Sequence, residues 1–109
     1  MRIITNRSIT QCWKKYPDAR LSLAIWEERI YCANCKNHGE LKLIFPTADY
    51  IANPSFKHLT VFNIKGNDYR LAVDLFFNTG HVYVKWFGKH ENYDKVDFKK
   101  LPNGGFQLC

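Results

Sequence analysis

No stretch of this chain approaches the ~18 consecutive apolar residues that a membrane-spanning helix needs. Its start, MRIITNRSITQCWKK, lacks the apolar run of a secretory leader. A cytoplasmic location is expected, with no membrane association and with the four cysteines reduced. Glycine loops are missing too: there is no GxGxxG, and no GxxxxGK followed by Ser or Thr, so nucleotide phosphates have no backbone cradle. No Gly-x-Ser-x-Gly elbow presents a nucleophile. Cys32-x-x-Cys35 with His38 is half of a zinc site, but no second CxxC completes it. The remaining candidates, Cys12, Cys109, His58, His81 and His90, are scattered. Asp68, Asp74, Glu91, Asp94 and Asp97 are interspersed with lysines, which disfavours two-metal hydrolysis. Asp74, alone on an expected strand, is the one carboxylate to follow. Neither a metal nor a cofactor is expected.

What is present describes a folded, basic protein. The 109 residues fit one domain, 1–109, with 46% hydrophobic and 16% aromatic residues. A chain of this size buries roughly 60–70% of its unfolded surface, so a core needs no staples. The net charge of +6 suits a polyanionic partner such as RNA, DNA or an acidic protein. It also suits simple solubility.

The chain opens with a possible short strand at 2–5. Ser8-Ile-Thr-Gln11 fits a capping box, so a first helix is expected from there to Tyr16-Pro17. Asp18 is a reasonable N-cap for a second helix to about residue 34. Leu21, Leu23, Ile25, Trp26, Ile30, Cys32 and Ala33 form its broad apolar stripe. Residues 36–60, punctuated by Gly39, Pro46, Asn53 and Pro54, read as irregular.

Residues 61–95, VFNIKGNDYRLAVDLFFNTGHVYVKWFGKHENYDK, are the most informative. They predict a three-stranded antiparallel meander with turns at 66–68 and 78–80. Tyr69, Leu71, Val73, Leu75 and Phe77 share one face; Arg70, Ala72, Asp74 and Phe76 share the other. Val82, Val84 and Trp86 alternate with Tyr83 and Lys85. A short helix follows, with His90, Tyr93 and Asp94 on one side. One sheet face buried under helices leaves a second that is polar, aromatic and cationic. Residues 99–109 are uncertain, a loose tail or a late edge strand.

Lys65, Arg70, Lys85, Lys89, His90, Tyr93 and Asp94 together suit RNA cleavage without a metal. In that chemistry the 2′-hydroxyl attacks the adjacent phosphate. Histidine can be base or acid near neutral pH. Arginine matches the charge building on the phosphorane. Lysines hold neighbouring phosphates, and tyrosine stacks on a base or passes a proton. The same residues also fit a non-catalytic RNA- or ribosome-binding module, or ordinary solvent-facing strand positions.

The runs VFNIKGNDYRLAV, HVYVKWFG and GKHENYDK resemble the HigB toxin family, the mRNA interferases of type II toxin–antitoxin modules. So do MRIIT and the stretch KYPDAR … W … KNHGELKLIFPTADYI. The resemblance covers residues 1 to about 97. It implies an α+β, RelE-like fold: two N-terminal helices packed on a small, mainly antiparallel sheet, with a short C-terminal helix. It implies an endoribonuclease that cuts mRNA, often on the ribosome, and inhibits translation. A HigA-like helix-turn-helix antitoxin would neutralise it and link it indirectly to operator DNA. By this resemblance Arg70, His90 and Tyr93 are catalytic, Lys65 and Lys85 bind RNA, and Asp94 orients His90; Lys89 joins the RNA-binding lysines as a cation beside His90, not by the resemblance. Lys89 stands where the family usually has Thr, and Cys35 where it often has Trp. An inactive copy that still binds antitoxin is a further alternative.

Overall fold

The computed structural model describes residues 1–4 and 6–101, the side chains of residues 6–9 excepted. Expectations for residues 102–109 therefore lie outside the described residues. The elements are β1 (Arg2–Ile3), α1 (Asn6–Lys15), a 3-10 turn (Pro17–Ala19), α2 (Arg20–Cys32), α3 (His38–Ile44), β2 (Asp49–Ile51), β3 (Leu59–Ile64), β4 (Tyr69–Phe76), β5 (His81–Lys89) and α4 (His90–Tyr93). One five-stranded sheet has the order β1-β5-β4-β3-β2. Among the described residues only β1 runs parallel to its neighbour; the other pairings are antiparallel. This is an α+β architecture compatible with a RelE-like fold.

The alternation read in β4 is the one observed. Tyr69, Leu71, Val73 and Leu75 join Phe62, Ile64, Val82, Val84 and Phe87 on the helix-facing side. Leu23, Trp26 and Ile30 of α2 close over them. Phe62 is the pivot, meeting Trp26 and Phe45 edge-on with ring centroids 5.4 and 4.9 Å apart.

Several expectations need correction. The apolar stripe on α2 is narrower than read: Leu21 is 73% and Ile25 52% exposed, and Cys32 is exposed as well. The 3-10 turn Pro17–Ala19 leads into α2, whose buried residues are Leu23, Trp26 and Ile30. Asp18 is not the N-cap of α2; that position is Ala19, with no side-chain cap bond. α1 starts at Asn6, ahead of Ser8. The stretch 36–60 holds a helix and a strand. α3 is announced by Asn37-His-Gly-Glu40, in which Asn37 Oδ1 accepts from the Glu40 N–H at 2.9 Å. Glu40 Oε1 reaches back to the Lys36 N–H at 3.2 Å, a variant of the capping box. Cys12 is disulfide-bonded, against the expectation of four reduced thiols; Cys32 and Cys35 are free.

The outer face of the sheet is also covered over part of its area. Phe56, Leu59, Val61, Ala72, Trp86, Phe98 and Leu101 form a second apolar cluster there. Trp86 joins it because β5 is bulged: Ala72 pairs with Trp86 while Val73 pairs with Val84, leaving Lys85 as the extra residue. Strict alternation would have placed Trp86 with Val84, on the helix side. Asp74 belongs to this face as a structural group. Buried, it accepts the backbone N–H groups of His58 at 2.8 Å and Lys57 at 3.2 Å.

Phe62→Ala should destabilise the protein by about 3–5 kcal/mol through the cavity it leaves. Leu21→Ala and Ile25→Ala, on the exposed side, should each change stability by about 0.5 kcal/mol or less. Urea unfolding of the three variants checks this; equal losses would restore the broad stripe.

Candidate active site

The sheet's outer face carries the site at the end where β4 begins and β5 ends. Across three strands, Asn63 pairs with Arg70 and Arg70 with Gly88. Directly paired residues point to the same side, so the Arg70 side chain leaves on the outer face, beside Asn63. Gly88 adds no side chain to this row. A Cβ there would lie 2.8 Å from Trp86 Cη2, so the indole of Trp86 occupies that space.

α4 brings in the other groups. The His90 N–H donates to the Asp68 carbonyl at 3.0 Å, tying the start of the helix to the β3–β4 turn. Tyr93 stacks on Phe98 at 4.8 Å and tilts against Trp86 at 6.3 Å. The Arg70 guanidinium lies over the Tyr93 ring, 5.6 Å from its centroid. With Phe98 and Arg70 both on its ring, Tyr93 is a positioning surface more than an open platform for a base. Burial first, and then the charge of Asp49, push the Tyr93 phenol up; Arg70 pulls the other way. The hydroxyl is therefore a neutral donor at physiological pH.

His90 Nδ1 lies 3.4 Å from Asp94 Oδ2, one helical turn on. A carboxylate at Nδ1 favours the tautomer protonated there and leaves Nε2 as the basic nitrogen. Arg70, Lys89 and His90 line one cleft of about 660 Å³ together with Asp18, Asn67, Asp68, Tyr69 and Glu91. Arg70 and Tyr93 also line a second cleft of about 310 Å³. Arg70 thus forms a wall common to both.

Not all the expected residues gather here. Lys85 sits in the bulge, its ammonium 5.7 Å from the ring centres of Phe56 and Tyr83, outside both clefts. Lys65 is turned to Asp18, Nζ to Oδ2 3.2 Å. Its φ of +54° is left-handed, a strain of about 1 kcal/mol for a residue with a Cβ. The ion pair and the following Gly66, at φ +65°, hold that turn. Asp18 is the residue that sequence reasoning misplaced. Its other oxygen accepts from the Tyr69 hydroxyl at 2.6 Å. The Tyr69 hydrogen bond and then that of Lys65 hold the Asp18 carboxyl below the usual carboxylate range. Burial, reinforced by Asp18, pushes the Tyr69 phenol up to about 12. Nothing local to Asp18 signals a partner 51 positions away.

Among the described residues no three of His, Cys, Asp and Glu are grouped to hold a metal ion. Burial first, then Glu40, push the Cys35 thiol up, which makes it inert.

Comparison with known proteins gives the family. Residues 19–96 match the profile of HigB_toxin, described as the RelE-like toxic component of a toxin–antitoxin system. The chain belongs to the HigB toxin family. The "mRNA interferase toxin HigB" of Escherichia coli K12 is 30% identical over 97 residues, covering 86% of this chain and 88% of that protein. The "mRNA interferase HigB" of Shigella flexneri matches to the same extent. That of Escherichia coli O6:H1 is 27% identical over 99 residues, covering 88% and 91%. The family match contains β4, β5 and α4 and therefore every group that lines the Arg70–His90 cleft except Asp18. In this HigB-family toxin no helix among the described residues is long and apolar enough to cross a membrane.

The Asp18–Tyr69 link has a signature at high pH. A phenol raised from 10 to about 12 by folding stabilises the folded state fully below pH 10, and that contribution is lost as pH rises towards 12. Ultraviolet phenolate titration should show one tyrosine ionising near 12, absent in Tyr69→Phe. The stability gap between the two proteins should shrink above pH 10; a gap constant with pH would contradict the link.

Proposed function

We propose that this HigB-family protein is the mRNA-cleaving toxin of a type II toxin–antitoxin pair, a metal-independent endoribonuclease. One observation supports this above the others. Arg70 from β4, Lys89 from the end of β5 and His90 from α4 line a single open cleft, with Tyr93 under the guanidinium.

The reaction follows from the groups. Arg70 holds the scissile phosphate and takes up the charge that grows on its oxygens. His90, through Nε2, takes the proton of the 2′-hydroxyl as that oxygen attacks phosphorus. Asp94 keeps the ring in the required tautomer. The P–O5′ bond breaks, and Tyr93 supplies the proton to the leaving oxygen. Even a raised phenol is far more acidic than an alcohol, so the transfer runs downhill. The products are a 2′,3′-cyclic phosphate and a 5′-hydroxyl. Lys89 contacts a flanking phosphate. Lys85, on the outer face, meets one further along the strand, and Lys65 reaches RNA only while shared with Asp18.

Three carboxylates, Asp18, Asp68 and Glu91, line the same cleft and oppose a polyanion. This favours a substrate presented by another particle, and we assign that part to the ribosome, with translation halted as a consequence. We assign neutralisation to a HigA-like helix-turn-helix antitoxin, through which the pair would meet its operator DNA. The cytoplasm is the place for both.

His90→Ala should lower cleavage by about 10²–10⁴-fold and Arg70→Ala by about 10²–10³-fold, with folding intact. Mapping of transcript 5′ ends after brief induction in bacteria reads this directly. Growth arrest that survives His90→Ala without new ends, yet disappears with lysine changes, would replace the enzyme by an RNA-binding module.

A further inference from the structure

The carboxylates of the catalytic cleft oppose RNA, but the far end of the sheet's outer face has a different balance of charge. Residues 52–60 and 72–85 contain one carboxylate, Asp74. It is buried and accepts the backbone N–H groups of Lys57 and His58, so its charge is met inside the fold. The same stretches carry Lys57, which is exposed, and Lys85, which is half-buried.

Aromatic rings accompany these cations. Phe76 pairs with His81 across β4 and β5, and Asp74 pairs with Tyr83. Directly paired residues point to the same side, so Phe76, His81 and Tyr83 share the outer face with Arg70 and Ala72. Tyr83 meets Phe76 edge-on at 5.3 Å and His81 at 6.4 Å. The Lys85 ammonium lies 5.7 Å from the Tyr83 ring centre. All three rings are half-buried, and the outer apolar cluster around Phe56 and Trp86 includes none of them. Phe76 stands six residues along β4 from Arg70, about 20 Å by the rise of a strand. Adjoining rings on an open sheet face, with lysines beside them, are what unpaired bases stack on. Single-stranded RNA matches both features, with a planar base for each ring and a phosphate for each lysine.

We propose that this end of the sheet is a second RNA contact, a stacking platform of Phe76, Tyr83 and His81 that holds unpaired bases of the substrate strand well away from the bond that is cut. The inference rests on the reading above in taking RNA as the ligand. The platform supplies affinity that Asp18, Asp68 and Glu91 subtract at the cleft. Every base has a π face, so it holds the strand without choosing its sequence.

The test is binding of an unstructured RNA of about 12 nucleotides to protein carrying His90→Ala, which blocks cutting. Phe76→Ile and Tyr83→Ile, added to that protein, keep apolar bulk and strand preference but remove the ring. Each should weaken binding by about tenfold and leave its salt dependence unchanged. Lys85→Ala should instead flatten the salt dependence, by about 0.7 in the slope of log affinity against log salt. Tyr83→Phe should bind as the parent does. Thermal unfolding checks that each variant is folded at the assay temperature. Unchanged affinity in both isoleucine variants, or no binding by the parent, would overturn the platform and leave the ribonuclease reading to the transcript ends. Absence of new ends with wild type, beside ring-dependent binding, would remove the ribonuclease and keep the RNA contact.

Discussion

Packing of Tyr93 on the outer face of the sheet governs the geometry of the candidate active site. A helix of four residues, α4, has no stability of its own, because its few hydrogen bonds do not offset nucleation. It stands because Tyr93 is stacked on Phe98 and leaned on Trp86, and because the His90 N–H is taken by Asp68. Phe98 is fixed in turn. Its carbonyl and that of Leu101 both accept from the buried Asn53 side chain at 2.9 Å. Remove that packing and His90 has no defined position relative to Arg70. The proposed catalytic pair is therefore only as precise as an apolar cluster with no assigned part in the chemistry.

Charge at the site is arranged by the same economy of contacts. The Arg70 guanidinium lies over the Tyr93 ring and its Nη1 donates to the carbonyls of Asn67 and Tyr69 at 3.4 and 3.3 Å, so its fork is oriented before any phosphate arrives, which reduces the ordering needed on binding. Asp18 links the start of α2 to the turn before β4 through Tyr69 and Lys65. One carboxylate thus fixes the end of the strand that carries Arg70 and withdraws a lysine from full exposure. Arg70 lines both clefts.

Much of this was legible in the residues, where pattern and physics are local. The alternation of β4, the turns at Gly66 and Gly80 with their positive φ, and the gathering of Arg70, His90, Tyr93 and Asp94 all follow from residues 61–95. What escaped depends on register or distance. The bulge at Lys85 sends Trp86 to the opposite face from the one strict alternation assigns, and no local signal marks it. The buried face of α2 is limited to Leu23, Trp26 and Ile30, because which apolar residues of a helix meet the sheet is decided by its placement and not by its own sequence. Asp18 looked like a helix cap because its true partners lie 47 and 51 residues on. α3 is a different kind of miss: Asn37 and Glu40 announced it, and the glycine and prolines around them masked the signal.

The central claim is that the 2′-hydroxyl is the nucleophile, driven by His90 against a phosphate held by Arg70. A single 2′-deoxy substitution at a mapped cut site, placed in an mRNA that the protein cleaves, tests it most directly. The account predicts that the substituted bond survives, and that the unmodified RNA ends in a 2′,3′-cyclic phosphate facing a 5′-hydroxyl. Cleavage of the deoxy-substituted bond, giving a 3′-hydroxyl and a 5′-phosphate, would mean that water attacks instead, and would contradict the account.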